Sequence, residues 1–225
     1  MPRQTLVLSA VMLSVVRYVL ICSMLMLTIS GCIVVKSTPQ EEQQEQENEK
    51  KPRIPMLPNK PSVEMSEELV RSEQGDMVCV LPATWFLLNA KANAPQAVFA
   101  VATNPDYTLG LAYSLLRKED TFDQLLQKEG MAAIAKASMN RRERRTPATK
   151  LVGELREVMV GTKRFGLYNY TTDNGATLNR VAVFRSALGN YYECTLTEFP
   201  FTGRKLPTRE ESEEIFNSVL AVLDF

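Results

Sequence analysis

Two cysteines, Cys79 and Cys194, and a run of arginines, Arg141, Arg142, Arg144 and Arg145, are the side chains of this 225-residue chain whose types and spacing come nearest to chemistry. Thiols on separate strands can bridge in an oxidising compartment. Both cysteines sit among apolar neighbours, however, where buried free cysteine is common, so a disulfide and two inert thiols both fit the pattern. Neither has a Cys-x-x-Cys context, which argues against redox catalysis. The arginines lie near the end of a helical pattern, where the helix dipole favours cations; the sharper reading is a docking patch for an anionic surface or an acidic partner. Histidine is absent, which removes the commonest general base and the commonest transition-metal ligand. Asp173-Asn174-Gly175 lacks the remaining acids of a calcium loop, and Gly161-Thr162-Lys163 lacks the upstream glycine of a phosphate cradle. No metal and no cofactor follow from these residues. A Ser/Lys or carboxylate pair leaves little local signature, so a hydrolase working without histidine stands as the alternative to a binding module.

The elements that must position these groups centre on Leu151 to Phe199, where Gly161-Thr162, Asn174-Gly175 and Gly189-Asn190 cut one β-rich stretch into a four-strand antiparallel meander. The Asn174-Gly175 turn sets Tyr168 opposite Val181, Leu167 opposite Ala182 and Phe165 opposite Phe184. Gly166, Tyr168, Val181, Val183, Tyr192, Cys194 and Leu196 are then expected on one face, and Phe165, Leu167, Leu178, Phe184, Thr195 and Phe199 on the other. Both faces are apolar, so helices should cover both. Tyr168, Tyr170, Tyr191 and Tyr192 form either cross-strand pairs or an exposed binding patch. Upstream, Val78 to Leu81, Ala97 to Thr103 and Thr108 to Leu116 read as strands. Thr121 with Gln124 reads as a capping box, and Gly130 either ends the helix that follows or merely weakens it. Thr208 with Glu211 starts a last helix, whose Ile215, Phe216, Val219, Val222 and Leu223 should dock on the meander with Phe225 closing the core.

The N-terminal part has another character. Residues 1–31 hold Arg3 and Arg17, an apolar run and no acid; without them 24 basic side chains face 26 acidic ones, which gives no general pull toward nucleic acid. Met12 is a second possible start. Ile29-Ser30-Gly31-Cys32 resembles the lipobox of bacterial lipoproteins, which implies cleavage before Cys32 and a diacylglycerol on its thiol. Residues 32–62, rich in Gln, Glu, Lys and Pro, are too polar to fold and read as a tether, with the globular domain expected over 63–225.

Pro82 with Trp85, then a strand pair, a helical segment, a meander and a short C-terminal helix together resemble the PsbP/Mog superfamily and its bacterial DcrB-type lipoprotein relatives. The resemblance implies an α+β fold, an α/β/α sandwich with a twisted antiparallel sheet and helices on both faces. It also implies non-catalytic work in binding, assembly or folding of partners. The expectation is a lipoprotein of the bacterial cell envelope, held to the membrane by lipid on Cys32 and facing the periplasm from the outer membrane. Its expected partner is an envelope protein or an anionic envelope polymer, with a chaperone-like adaptor for exported proteins as a further alternative.

Overall fold

The computed structural model describes residues 53–89, 97–172, 175–200 and 203–225; the signal, Cys32 and most of the tether lie outside them. Ten strands and three helices follow one another: β1 (Met56–Leu57), β2 (Met65–Arg71), β3 (Val78–Pro82), β4 (Phe86–Leu87), β5 (Val98–Thr103), β6 (Leu109–Leu116), α1 (Phe122–Glu129), α2 (Met131–Arg145), β7 (Lys150–Val160), β8 (Lys163–Thr172), β9 (Thr177–Arg185), β10 (Tyr191–Glu198) and α3 (Arg209–Val222). Eight strands make one sheet in the order β1-β7-β8-β9-β10-β6-β5-β4, and β2 pairs with β3 as a separate hairpin. The β7 to β10 meander is contiguous within the sheet, as its turns require. Every pairing is antiparallel except β1 on β7, so the sheet is mixed rather than purely antiparallel.

Both faces are covered. Helices α1 and α2 lie over Tyr168, Tyr170, Val181, Val183 and Tyr191 through Phe122, Met131, Ile134, Ala135 and Met139. On the other face Phe216, Val219, Leu220 and Leu223 of the α3 region, with Val70, Cys79 and Leu81 of the β2–β3 hairpin, cover Phe165, Leu167, Phe184, Tyr192, Cys194 and Leu196. Phe225 stacks into this cluster, 4.6 Å from the Phe184 ring and 5.4 Å from Phe165, so the chain end closes the core as expected. The result is an α/β/α sandwich whose third layer is completed by a hairpin.

The β8–β9 register is the one read from sequence: Leu167 pairs with Ala182 and Tyr168 with Val181. The facing of β10 is the reverse of the expected one. Tyr191 pairs with Arg185, Tyr192 with Phe184 and Cys194 with Ala182, so Tyr192, Cys194 and Leu196 share a face with Phe165 and Leu167. Ser186 to Asn190 all belong to the connection, closed by Ser186 N–H donating to the Asn190 carbonyl (2.8 Å) and Gly189 N–H donating to Ser186 (2.9 Å). A longer connection than a tight Gly189-Asn190 turn moves the register by an odd number of residues, and that inverts every side chain on the strand.

Thr121 does not cap α1: its backbone is helical and its side chain accepts no capping hydrogen bond. Gly130, at φ +77°, ends α1 and opens α2, where Glu157 Oε2 accepts the Met131 N–H at 2.7 Å. At α3 the box is complete, with Glu211 N–H donating to Thr208 Oγ1 (3.1 Å) and Thr208 N–H to Glu211 Oε2 (2.8 Å). Thr208→Ala is expected to cost about 1 kcal/mol in urea unfolding while Thr208→Ser costs almost nothing; equal losses would remove the hydroxyl from the stabilising role.

The compact unit starts at Arg53, ahead of the expected boundary at residue 63. Met56 and Leu57 pair in parallel with Met159 and Val160, and Ser62 N–H donates to Ser218 Oγ (3.0 Å), so the last part of the expected tether is bound to the domain edge and to α3. Two short apolar residues suffice to add an edge strand when the sheet already presents the partner.

Candidate functional site

The arginines singled out by sequence do not form one surface patch. Arg142 follows Met131, Ile134, Ala135, Ser138 and Met139 on the buried stripe of α2. Its Nη2 donates to Glu193 Oε2, its Nε to Tyr168 OH (2.9 Å) and its Nη1 to Tyr170 OH (3.3 Å), with the guanidinium 5.1 Å from the Tyr170 ring centroid. Ser138 Oγ donates to Glu193 Oε1 and lies 2.7 Å from Tyr168 OH. Burial works against the Arg142 charge, but Glu193, Tyr168 and Tyr170 together outweigh it and raise the guanidinium's pKa; burial pushes the Tyr168 and Tyr170 hydroxyls up. Arg141 donates to Glu119 Oε1 (2.7 Å) and to the Arg117 carbonyl (3.1 Å). Arg144 and Arg145 alone of the four are exposed. The physical reason is helical period, which turns Arg142 inward beneath the helix end.

Ser138 and Glu193 are the nearest thing to a nucleophile and a carboxylate in contact, yet they are 1% and 6% exposed and fully engaged with each other, Tyr168 and Arg142. The four tyrosines expected as an alternative exposed patch are all buried. Cys79 and Cys194 are free thiols of the α3-side core. Tyr113 OH donates to Cys79 Sγ at 3.4 Å, and burial pushes the Cys79 thiol up to about 11 and the Cys194 thiol well above its ordinary value, so neither carries thiolate at neutral pH. Asp76 is likewise saturated: it accepts from Ser72, Ser186, Asn190 and Tyr192. Burial raises its pKa, and these donors more than offset that, leaving the carboxyl well below its ordinary range. It joins the β2–β3 turn to the β9–β10 connection. No group of three His, Cys, Asp or Glu side chains able to hold a metal lies among the described residues.

A cavity of about 430 Å³ opens instead between α3 and the β7–β9 part of the sheet. Its cause is local. Val152 pairs with Asn169 and Arg156 with Leu167, so β7 has two more residues than β8 between those pairs. Gly153, at φ +73°, takes the left-handed backbone that such a bulge needs and that a side chain would disfavour. The floor is Leu167, Leu178 and Phe216; Arg180 lies beside it, buried, donating to Glu198 Oε1 (3.0 Å) and to the Arg209 carbonyl (3.0 Å). Around the rim stand Glu154, Arg156, Asn169, Arg209, Glu213 and Asn217. Arg156 meets Glu213 only at 3.8 Å with both side chains about half exposed, an arrangement of little energetic weight. Among the described residues, no hydrogen bond or ion pair engages the side chains of Arg209, Asn169 or Asn217. None of these residues is marked by local sequence; the signal, in hindsight, is Gly153 inside an otherwise regular strand.

No model of a known protein family matches the chain, and no curated protein matches it in sequence. Among solved structures the chain is similar to the cyanobacterial PsbP of Synechocystis sp. PCC 6803, at 14% identity and a TM-score of 0.49 over 69% of this chain and 90% of that one. It is similar to the Ran-binding protein Mog1p of Saccharomyces cerevisiae, at 15% identity and a TM-score of 0.44 over 71% and 95%. It is also similar to LpqN of Mycobacterium tuberculosis, described as involved in cell envelope biogenesis, at 14% identity and a TM-score of 0.37 over 70% and 87%. Among the described residues, no helix is long and apolar enough to cross a membrane.

Proposed function

We propose that this chain is a non-catalytic lipoprotein of the bacterial cell envelope, lipid-anchored at Cys32 on the outer membrane's periplasmic side, whose domain binds an envelope macromolecule through the groove beside α3. The observation that carries this reading is the groove itself. A bulge opens it, sheet and helix frame it, its floor is apolar, and the Asn169 and Asn217 amides and the Arg209 guanidinium at its rim have no partner among the described residues. Binding sites combine an apolar lining with a few placed polar groups in this way. The exposed Arg144 and Arg145 at the end of α2 supply a second, salt-screened attraction to anionic surfaces of the envelope. Against the hydrolase alternative, the Ser138–Glu193 pair is sealed beneath α2 and its lone pairs and protons are engaged within the protein.

The test is photo-cross-linking in intact cells. A benzoylphenylalanine at Asn217, on the groove rim, is expected to capture a discrete envelope component, and the same probe at exposed Gln127 on α1 is expected not to capture it. Identical capture from both positions, or none from Asn217, would overturn the groove as the binding surface.

A further inference from the structure

We infer that the groove takes an extended peptide segment carrying a carboxylate, a proposal that rests on the binding role of the same site. Three observations bear on the ligand's chemistry. First, the Asn169 and Asn217 side chains stand on opposite walls, β8 and α3, without partners among the described residues. Each amide offers a donor and an acceptor, the complement of a peptide unit. Second, Gly153, Glu154 and Leu155 have no register partner on β8, and on its outer side β7 pairs with β1 only at Met159 and Val160. Main-chain groups beside the groove are therefore placed for an extended chain, which is how peptides add to sheet edges.

Third, the charge pattern selects one carboxylate rather than a dense polyanion. Among the described residues Arg209 has no acid partner, and Arg156 meets its own only at 3.8 Å, so both guanidinium groups can turn to a ligand carboxylate. Glu154 and Glu213 stand on the same rim and repel a continuous run of negative charge. Buried Arg180 is neutralised by Glu198 and fixes the position of Arg209 by donating to its carbonyl. An apolar side chain of the peptide would cover Leu178 and Phe216 on the floor.

The full-length chain in non-ionic detergent is titrated with a fluorescein-labelled Val/Glu peptide, an alternating valine–serine chain with a single central glutamate, followed by anisotropy. A Val/Lys peptide and polyphosphate serve as comparison probes. Saturable binding of the Val/Glu peptide is expected, weakened about tenfold or more by Arg209→Glu and about threefold or more by Asn217→Ala, with little binding of the Val/Lys peptide. Glutamate at the first position of α3 suits the helix dipole better than arginine does, so loss of binding in that variant does not trace to a weakened helix. Unchanged affinity in Arg209→Glu, no binding of the Val/Glu peptide, or tighter binding of polyphosphate would each overturn the peptide assignment. If Asn217 still captures an envelope component under any of those outcomes, the binding role stands and only the ligand class falls.

Discussion

Replacing Glu193 with alanine is expected to destabilise the domain by about 3 kcal/mol, far more than a surface charge would. Glu193 is the counter-ion of Arg142 and the acceptor for Ser138 Oγ, on a face otherwise filled by Phe122, Ile134, Met139, Val181 and Val183. Removal of the carboxylate leaves a guanidinium in that layer with only two tyrosine oxygens and the Thr195 hydroxyl beside it. The Arg142 side chain keeps 28% of its exposure, which places the expected loss at the lower end of what breaking a buried pair costs. The double variant Arg142→Met with Glu193→Met removes both charges and fills the space. It is expected to be more stable than Glu193→Ala, because the penalty comes from the charge left behind rather than from the attraction lost. Urea unfolding of the double variant, of Glu193→Met alone and of Arg142→Met alone supplies the cycle. Additive losses with no coupling would show that the pair is not energetically joined, despite its geometry.

Gly166→Ala should be as damaging, although it adds a single methyl. A Cβ at Gly166 would stand 2.4 Å from the Met131 carbonyl oxygen and 2.9 Å from Ala135 Cβ, so α2 rests directly on the β8 backbone. Main chain cannot swing aside as a side chain can, and the whole helix must lift, taking Ser138 and Arg142 away from Glu193. Overpacking of this kind costs about 3 kcal/mol, or about 6 to 12 °C of Tm for a domain of this size. Gly110→Ala is the control: its added Cβ also comes close, 2.6 Å, but to the ring of Phe199, which can turn. Calorimetry of the two variants decides the point. A Gly110→Ala loss equal to or above that of Gly166→Ala would contradict the account of α2 seated on bare backbone.

Much of this architecture is written locally. The β8–β9 register is the one that the alternation of Phe165 to Tyr170 and an Asn-Gly sequence at 174–175 lead one to expect, because such a sequence favours a hairpin of fixed register. The Thr208 and Glu211 pair located the start of α3, and the stripe through Phe216, Val219 and Leu223 its buried side, since capping and helical period act within a few residues. The sandwich itself followed from two apolar faces on one sheet, which nothing but two covering layers can satisfy.

What local pattern could not reach depended on loop conformation and on contacts between distant segments. The β10 facing turned on how many of the residues from Ser186 to Asn190 belong to the connection, and an odd shift there inverts a strand without changing its composition. Arg142 looked like a member of a surface cluster because four arginines crowd one helix end; its inward place is legible from the spacing to Ser138, but its partner, Glu193, is 51 residues away. The groove is the furthest from sequence of all. Its rim joins β7, β8 and α3, brought together by a bulge at Gly153 and by the docking of a helix that begins more than fifty residues later. Sequence determines which segments are apolar, where helices start and which turns are tight, because those are short-range properties of the chain. Which polar groups are left without partners at a surface opening is decided only by tertiary packing, because satisfaction of a hydrogen bond is a property of the group's neighbours in space.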